Sequence, residues 1–334
     1  MGRHINVPVF IPHLGCPNQC VFCNQRTISG VVEFDADGFL ETVEAALSTV
    51  GEDDEVEIAF FGGSFTGIDR RLMLELLEGA KSFVDEGRVK SLRCSTRPDY
   101  IDQEIIKILK KYGVTTVELG LQSASDRVLD ITKRGHSFAD EKRACELIKN
   151  SGISLVGQMM IGLPGATPED EIETARFILD SGASAVRIYP TVVFHKTALA
   201  DMTHRGEYKP LSLEEAVERS KEVLKVFVGQ DITVLRIGLC SSENLRSDET
   251  YLDGPNHPAL GEIIEGEVYY DILREKIARM QVKGAELVVY APKGAVSKAL
   301  GHGGRNKKRL VNEFGIKRLK VLEDESLAQY QIRI

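Results

Sequence analysis

Short apolar segments alternate with amphipathic helical patterns through the first two thirds of the chain. The apolar segments are often β-branched, and they lie at 6–11, 56–61, 92–96, 116–121, 155–161 and 185–189. Strands that are buried on both faces have this character. Helical patterns at 36–48, 70–85, 102–111, 138–150, 168–181 and 212–229 follow them. Six βα units in series predict an α/β fold with a parallel sheet, and a partial (βα)6 barrel is the simplest closure.

Three cysteines follow the first predicted strand within eight residues. Cys16, Cys20 and Cys23 have the spacing C-x3-C-x2-C, and the next cysteine is Cys94. A cubane 4Fe–4S cluster normally takes four thiolates, so three would leave one iron open to a small molecule. The loop after a barrel strand lies at the carboxyl end of the sheet, where chemistry is performed in such folds.

Two other interpretations of the cysteines stay open on spacing alone. They could hold a structural zinc ion with His13 as the fourth ligand, although a second ligand pair at a distance is the commoner zinc arrangement. They could also form disulfides, but six cysteines in 334 residues is a low density and no secretory signal peptide is evident.

The cysteine spacing, with the aromatic Phe22 before the last cysteine, resembles that of the radical S-adenosylmethionine (radical SAM) superfamily. The resemblance implies a 4Fe–4S cluster whose fourth iron is chelated by the amino and carboxylate groups of SAM. It further implies reductive cleavage of SAM to methionine and a deoxyadenosyl radical. A one-electron donor such as flavodoxin or ferredoxin would then be a partner.

Further residues at strand ends fit this resemblance. Gly62 and Gly63 would let SAM approach the backbone, while Ser64 stands where the family usually has an acid. Arg97 could bind the SAM carboxylate or a structural carboxylate such as Glu118. The predicted cofactor-binding residues are Phe22, Gly62, Gly63, Ser64, Arg97, Gln122, Ser123 and Met160. For Gln122 and Ser123 the alternative is capping the next helix, and for Met160 it is a core position.

Five phrases carry a closer resemblance, to the radical SAM part of the Elongator catalytic subunit. They are TRPDY (96–100), ELGLQS (118–123), RGH (134–136), IYPT (188–191) and GEYK (206–209). The resemblance covers roughly 6–236 and implies modification of the wobble uridine of tRNA. The compact C-x3-C departs from the longer insertion of that family. The chain bounds predict that the acetyltransferase domain and the N-terminal extension are missing, as in a stand-alone bacterial-type relative.

A basic segment near the end of the chain contrasts with an acidic remainder. Residues 293–320 contain nine Lys or Arg and one acid, a net charge of +8, whereas the whole chain carries −8 and the rest therefore −16. Such a segment is either a polyanion site or a solvated basic face. Within it, LGHGGRNKKRL (300–310) resembles the GxxG loop of a KH domain, which clamps a nucleic-acid backbone.

The predicted elements around this loop have the order βααββ, at 286–290, 295–300, 305–314, 317–322 and 329–334. The predicted RNA contacts are Gly301, His302, Gly303, Gly304, Lys307 and Lys308. A small α+β KH-like domain is thus predicted at 285–334, after a radical SAM barrel at 1–240 and a linker with a long helix at 241–284.

The sequence predicts a radical SAM enzyme that acts on RNA, with tRNA the expected substrate. No single catalytic residue can be chosen. The alternatives are a radical SAM enzyme for a small metabolite of the porphyrinogen type and a non-catalytic, zinc-stabilised RNA-binding module. No apolar run is long enough to span a bilayer, so we expect a cytoplasmic protein without a membrane partner. Cys94, Cys145 and Cys240 are expected to be buried small hydrophobic residues.

Overall fold

The structure is a computed structural model that describes residues 2–11, 14–16, 20–24, 34–36, 38–51, 53–239, 245 and 247–334. His13 and Cys240, which entered the predictions above, lie outside the described residues. Cys94 and Cys145 are buried, as predicted.

Seven parallel strands form a curled sheet, a half-barrel. In sequence order the strands are β1 His4–Phe10, β2 Glu55–Phe61, β3 Ser91–Thr96, β4 Val114–Gln122, β5 Ser154–Ile161, β6 Ala185–Pro190 and β8 Thr233–Ile237. They lie side by side in the order β1-β2-β3-β4-β5-β6-β8, so β1 and β8 are the edge strands. The α/β half-barrel is confirmed, and β8, where the sequence also predicts a short strand (233–238), pairs with β6 and extends the sheet beyond the six βα units.

Eight helices accompany this sheet, of which α4 Asp126–Ile131 and α7 Ala198–His204 contribute no side chain to the main hydrophobic core. The other six cover the outer face of the sheet, and they are α1 Phe39–Leu47, α2 Arg70–Asp85, α3 Gln103–Lys111, α5 Phe138–Ser151, α6 Pro168–Asp180 and α8 Leu213–Phe227. Three of them begin with a capping box, in which a hydroxyl side chain and an acid three residues later each bond the other's backbone N–H. The hydroxyl residues are Ser137, Thr167 and Ser212.

Alternation along the central strands separates an apolar outer face from a polar inner face. In β4, Val117, Leu119 and Leu121 belong to the main hydrophobic core, whereas Glu118 lines the interior of the half-barrel. Successive side chains of a strand point to opposite faces. The sequence pattern therefore leaves polar groups at the centre of the half-barrel, where a ligand can be bound.

A second hydrophobic core lies in the C-terminal part of the chain. Its elements are α9 Leu260–Ala278, β10 Glu286–Ala291, α10 Val296–Leu300, α11 Arg305–Phe314 and β11 Arg318–Glu323. β10 and β11 are parallel neighbours, and a 3-10 turn at His302–Gly304 joins α10 to α11. Helix α8 contributes Leu224 to this second core, so the two cores share an element.

The predicted last strand, 329–334, is wrong. Only one antiparallel bridge, between Tyr290 and Arg333, is formed in that stretch. Tyr330 has a φ of +63°, which no strand accommodates, and its N–H bonds the Tyr269 hydroxyl instead of a neighbouring strand.

Several short elements escaped sequence analysis. Besides helices α4 and α7, the two-stranded antiparallel sheet of β7 Val193–Phe194 and β9 Tyr251–Asp253 was not predicted. Such elements are too short for a recognisable hydrophobic period. Within the described residues, no helix is both long and apolar enough to cross a bilayer.

Candidate cofactor site

The cysteine loop and the turn after β2 interlock at the carboxyl edge of the sheet. The Ser64 backbone N–H donates to the Leu14 carbonyl at 3.1 Å. A Cβ at Gly63 would lie 2.5 Å from the Leu14 oxygen and 2.7 Å from the Ile11 oxygen, and one at Gly15 would lie 2.2 Å from the Ser64 oxygen. Only glycine fits at either position. Gly63 and Gly15 are thus both needed for the position of the cysteine loop.

The three clustered cysteines lie on this loop in a partly buried environment. Cys20 is buried, whereas Cys16 and Cys23 are half-buried, and the Cys23 N–H bonds the Cys20 carbonyl at 3.0 Å. Burial raises the pKa of the Cys16 thiol, as does neighbouring Cys20, while the guanidinium groups of Arg97 and Arg134 lower it. Burial outweighs these two cations, so the pKa of the Cys16 thiol is raised overall in the absence of a bound metal group.

In the described part of the chain, no three His, Cys, Asp or Glu side chains lie close enough together to hold one metal ion. A cubane cluster would bind each of the three cysteines through a different iron.

Arg134 contacts the cysteine loop directly and was given no role by sequence analysis. Its Nη1 lies 3.2 Å from the Sγ of Cys20, and its Nη2 donates to the Gly120 carbonyl at 2.5 Å. The residue is 6% exposed. The motif RGH (134–136) was the available signal, but 114 residues separate Arg134 from Cys20 in sequence.

A second buried arginine, Arg97, lies beside the same thiols. It makes a bidentate pair with Asp99, with both N···O distances 2.9 Å, and its Nη1 is buried without a hydrogen-bond partner among the described residues. The structural carboxylate considered from the sequence, Glu118, is not its partner. The free Nη1 is the donor that Arg97 retains for a ligand.

A neutral pair lies behind these arginines. The His136 Nε2 is 3.1 Å from Glu141 Oε1, and both side chains are fully buried. Burial, with the charges of Arg134 and Arg97, lowers the pKa of His136 to about 3. Burial also raises the pKa of Glu141 well above its usual range.

With His136 and Glu141 neutral, the two arginines face one described carboxylate, that of Asp99, and one positive charge is left over. A buried charge without a counterion is costly, so this excess indicates an anionic partner. Three thiolates carrying a 4Fe–4S cluster form such an anion. The residues present fit that group in both donor set and charge.

A cavity of about 610 Å³ opens inside the half-barrel next to the cysteine loop. Its size is typical of small-molecule sites. The predicted cofactor residues among its lining are Phe22, Gly62, Gln122 and Met160, together with the predicted metal ligand Cys23. Among the described lining residues, Gly63, Ser64, Arg97 and Ser123 do not appear.

Gln122 occupies a strained position at the end of β4. Its φ is +71°, rare for a residue other than glycine, and the register with β5 shifts between Gly120 and Gln122. Its Oε1 is buried and has no hydrogen-bond partner in the part of the chain that the structure describes. Strain and an unused acceptor beside a cavity are typical of a ligand-binding residue.

Ser64 and Ser123 make contacts within the protein. Ser64 is fully buried, and its hydroxyl lies 2.9 Å from that of Thr96 and accepts the Arg97 N–H at 3.2 Å. Ser123 accepts the Ser125 N–H at 3.3 Å, as expected of a residue that caps the following turn. A role of either hydroxyl in cofactor binding stays a prediction.

A charged network crosses the floor of the cavity. Glu118 is 1% exposed and accepts from Arg93 at 3.0 Å, from Arg187 at 2.9 and 3.2 Å, and from Gln158 at 3.1 Å. Arg93 also pairs with Glu57 at 3.0 Å. Each member of this network comes from a different strand, so the network could not be predicted from local sequence.

The GxxG loop lies in the C-terminal part of the molecule. All three glycines of this loop have a positive φ. A Cβ at Gly301 would lie 2.5 Å from the Asn306 side chain, whereas Gly303 and Gly304 have open space around them. His302, Lys307 and Lys308 are exposed. In the described structure neither lysine forms an ion pair, while Lys298 and Arg309 of the same segment pair with Glu265 and Glu267.

Comparison with known families gives two matches. The family model described as radical SAM superfamily matches residues 10–178, and that described as radical SAM C-terminal domain matches residues 183–270.

Among curated relatives, the tRNA uridine(34) acetyltransferase of Methanocaldococcus infernus is 30% identical over 245 residues, which is 61% of this chain and 46% of that protein. Elongator complex protein 3 of Saccharomyces cerevisiae is 28% identical over 191 residues, 51% of this chain and 34% of that protein. The chain thus spans less than half the length of these relatives.

Among solved structures, the Methanocaldococcus infernus Elp3 with its N-terminus deleted has a TM-score of 0.63 at 24% identity. The likeness covers 84% of this chain and 65% of that one. Coproporphyrinogen III oxidase from Escherichia coli, described as a radical SAM enzyme, has a TM-score of 0.50 at 15% identity, over 68% of this chain and 52% of that one. These likenesses show a shared fold.

Proposed function

This chain belongs to the radical SAM superfamily of enzymes, and from that premise we propose that Cys16, Cys20 and Cys23 hold a 4Fe–4S cluster at which SAM is cleaved. The observation that carries the proposal is the excess buried positive charge of Arg97 and Arg134 beside the three thiols. The superfamily implies both cofactors. Membership of an enzyme superfamily leaves the non-catalytic zinc-stabilised module without support.

Four residues have the chemistry to hold SAM beside the cysteine loop. Gly62 presents backbone without a side chain in the way, and the unpartnered Nη1 of Arg97 suits the SAM carboxylate. The unused Oε1 of Gln122 suits a hydroxyl or amino donor, and Met160 offers an apolar surface to the adenine. When bound, the cluster would supply one electron that cleaves SAM into methionine and a deoxyadenosyl radical, which abstracts hydrogen from the substrate.

The proposed substrate is RNA, and tRNA is the RNA class that we expect. Two curated relatives carry tRNA uridine(34) or Elongator in their names. The GxxG loop adds a second, independent reason. Gly303 and Gly304 allow close approach of a phosphate to the backbone, and no described acidic side chain pairs with Lys307 or Lys308. The electron donor would be a low-potential carrier such as flavodoxin or ferredoxin.

Anaerobic reconstitution with iron and sulfide tests the cluster. The protein should become brown and hold roughly four irons per chain, and with dithionite and SAM it should form 5′-deoxyadenosine. Stoichiometric zinc in a colourless protein, or a full cluster that never cleaves SAM, would refute the proposal.

A separate experiment tests the RNA substrate. His302→Asp with Gly303→Asp places two negative charges on the exposed loop, so tRNA affinity should fall sharply while iron content stays unchanged. Mass analysis of RNA from cells with and without the gene would then identify a modified nucleoside. Unchanged tRNA affinity in the double variant would favour the alternative of a small metabolite of the porphyrinogen type.

A further inference from the structure

We propose that Arg134 is a positioning residue that fixes Cys20 and raises the reduction potential of the cluster. The inference rests on the proposed function, because it needs a cluster on the three cysteines. Beyond the proposed function, it identifies Arg134 as the residue of this chain that adjusts how readily the cluster accepts one electron.

The side chain of Arg134 bridges two parts of the site. Through Nη1 it reaches the Sγ of Cys20 at 3.2 Å, and through Nη2 it bonds the Gly120 carbonyl in β4. A planar fork of this kind fixes both partners in one orientation. The Cys20 sulfur is thereby tied to the central strand of the sheet.

The backbone around Arg134 is fixed as well. Its N–H bonds the Leu129 carbonyl at 2.9 Å, and the Thr132 carbonyl accepts the N–H of Val21, the residue after Cys20, at 3.1 Å. Thr132 is fully buried and bonds back to helix α4. The segment after α4 and the cysteine loop therefore form one packed unit, with the guanidinium directed at the sulfur.

The charge of Arg134 has no other use in the described structure. The buried arginines Arg93 and Arg97 and the half-buried Arg187 each pair with a carboxylate. No described carboxylate pairs with Arg134, and its Nε is buried without a partner. A buried cation whose nearest anionic atom is a ligand sulfur acts mainly on the charge held by that sulfur.

Electrostatics gives the direction of the effect. Reduction by one electron, supplied by dithionite or by a low-potential carrier, makes the cluster more negative by one charge. A fixed cation and an N–H···S bond stabilise the more negative state more strongly, and hydrogen bonds to cluster sulfurs are a known determinant of potential. Removing Arg134 should therefore make the cluster harder to reduce.

The test is a set of variants, Arg134→Gln, Arg134→Lys and, as control, Arg127→Gln. Arg127 lies in the same segment, but its side chain is exposed and pairs with Asp170. Each protein is reconstituted anaerobically, assayed for iron and sulfide, and titrated with dithionite while the reduced cluster is followed by electron paramagnetic resonance. The midpoint potential should fall most in Arg134→Gln, less in Arg134→Lys, and not at all in Arg127→Gln.

The outcomes separate the two proposals. If the unaltered protein holds no cluster, the proposed function fails. If Arg134→Gln holds a full cluster at an unchanged potential, only the inference on Arg134 fails. If Arg134→Gln cannot hold a cluster, Arg134→Lys carries the test in the same titration. Loss of the cluster from both variants would overturn the tuning role in favour of a purely structural one.

Discussion

The floor and the rim of the half-barrel both bury arginines, but only the floor neutralises them within the protein. On the floor, Arg93 and Arg187 surround Glu118, and Glu57 supplies a second carboxylate. On the rim, Arg97 has Asp99, whereas Arg134 has a cysteine sulfur and a carbonyl. Burying a charge without a counterion is costly, so the two regions must differ in what they are built for.

The difference in charge balance distinguishes a structural network from a binding site. A network whose charges cancel, as on the floor, holds strands together and needs no ligand. A network with one positive charge in excess, as on the rim, is complete only when an anion is bound. The three cysteines supply that anion once they are ionised or carry a cluster.

The largest expected effect is on the rim. Replacing Cys20 by Ala should abolish the cluster, because it removes a ligand and leaves Arg134 buried without a sulfur. Replacing buried Cys145 by Ala is the matched control and should retain the cluster. Iron content and the visible absorption of the reconstituted proteins measure both, and a brown, iron-replete Cys20→Ala protein would contradict our assignment of the rim.

Gly63 tests how the rim is positioned. Gly63→Ala would put a Cβ 2.5 Å from the Leu14 carbonyl, so the cysteine loop must shift and most of the cluster should be lost. In Gly51→Ala the new Cβ would lie 3.4 Å from an Asp54 side chain, and the cluster content should not change. Iron assays decide this, and equal iron in both variants would show that the loop tolerates displacement.

On the floor, removing a charged partner should lower the free energy of unfolding. Glu118→Ala removes the carboxylate that pairs with buried Arg93 and leaves half-buried Arg187 without a described carboxylate. Breaking a buried pair by removing one partner costs about 3–5 kcal/mol. The control, Glu207→Ala, breaks an exposed pair with Arg205 and should cost less than about 1 kcal/mol. Urea denaturation measures the free energy of unfolding, and similar losses in the two variants would contradict the closed network.

The same distinction between paired and unpaired cations applies to the C-terminal segment. Replacing the unpaired Lys307 and Lys308 by Ala should weaken RNA binding and reduce the slope of log affinity against log salt by about 1.4, if each lysine contacts one phosphate. Lys293 and Lys317 are exposed but pair with Glu325 and Glu286, so their double Ala variant is the control. Equal slopes in the two double variants would argue against a phosphate clamp at the GxxG loop.

The effect expected of the neutral pair behind the rim depends on pH. Because the folded-state pKa of Glu141 is raised, its contribution to stability is present below the ordinary pKa of glutamate and is lost as pH rises. Glu141→Gln stays neutral, so it should gain stability relative to the unaltered protein above about pH 4.5, by at most about 1.4 kcal/mol per pH unit. Urea denaturation at pH 5 and pH 8 measures the free energy of unfolding of both proteins, and the gain of Glu141→Gln should be larger at pH 8. A gain that is larger at pH 5 would mean that Glu141 is ionised in the folded protein.

Much of the framework was predictable, because it depends on local patterns. Buried strands, capping hydroxyls and the cysteine spacing are each readable within about ten residues. The contact between Arg134 and Cys20 is not, since it joins residues 114 positions apart. Arg97 shows a different limit, because the sequence offered Glu118 as its structural partner and the fold provides Asp99 only two residues away. Nearness in sequence does not show which of several carboxylates a side chain turns toward. The failed strand at 329–334 has a local cause, the positive φ of Tyr330, that composition does not reveal.

The unclosed sheet has a consequence for how a substrate can enter. In a closed barrel, strand number and stagger fix the diameter. Here β1 and β8 are both edge strands, yet the cavity is lined from both sides, by Asn6 and Phe10 and by Arg236. No ladder in the described structure fixes the gap between the edges, so the site can widen without breaking a strand pairing. A long polymer could then enter sideways at an internal position, without threading an end through a ring.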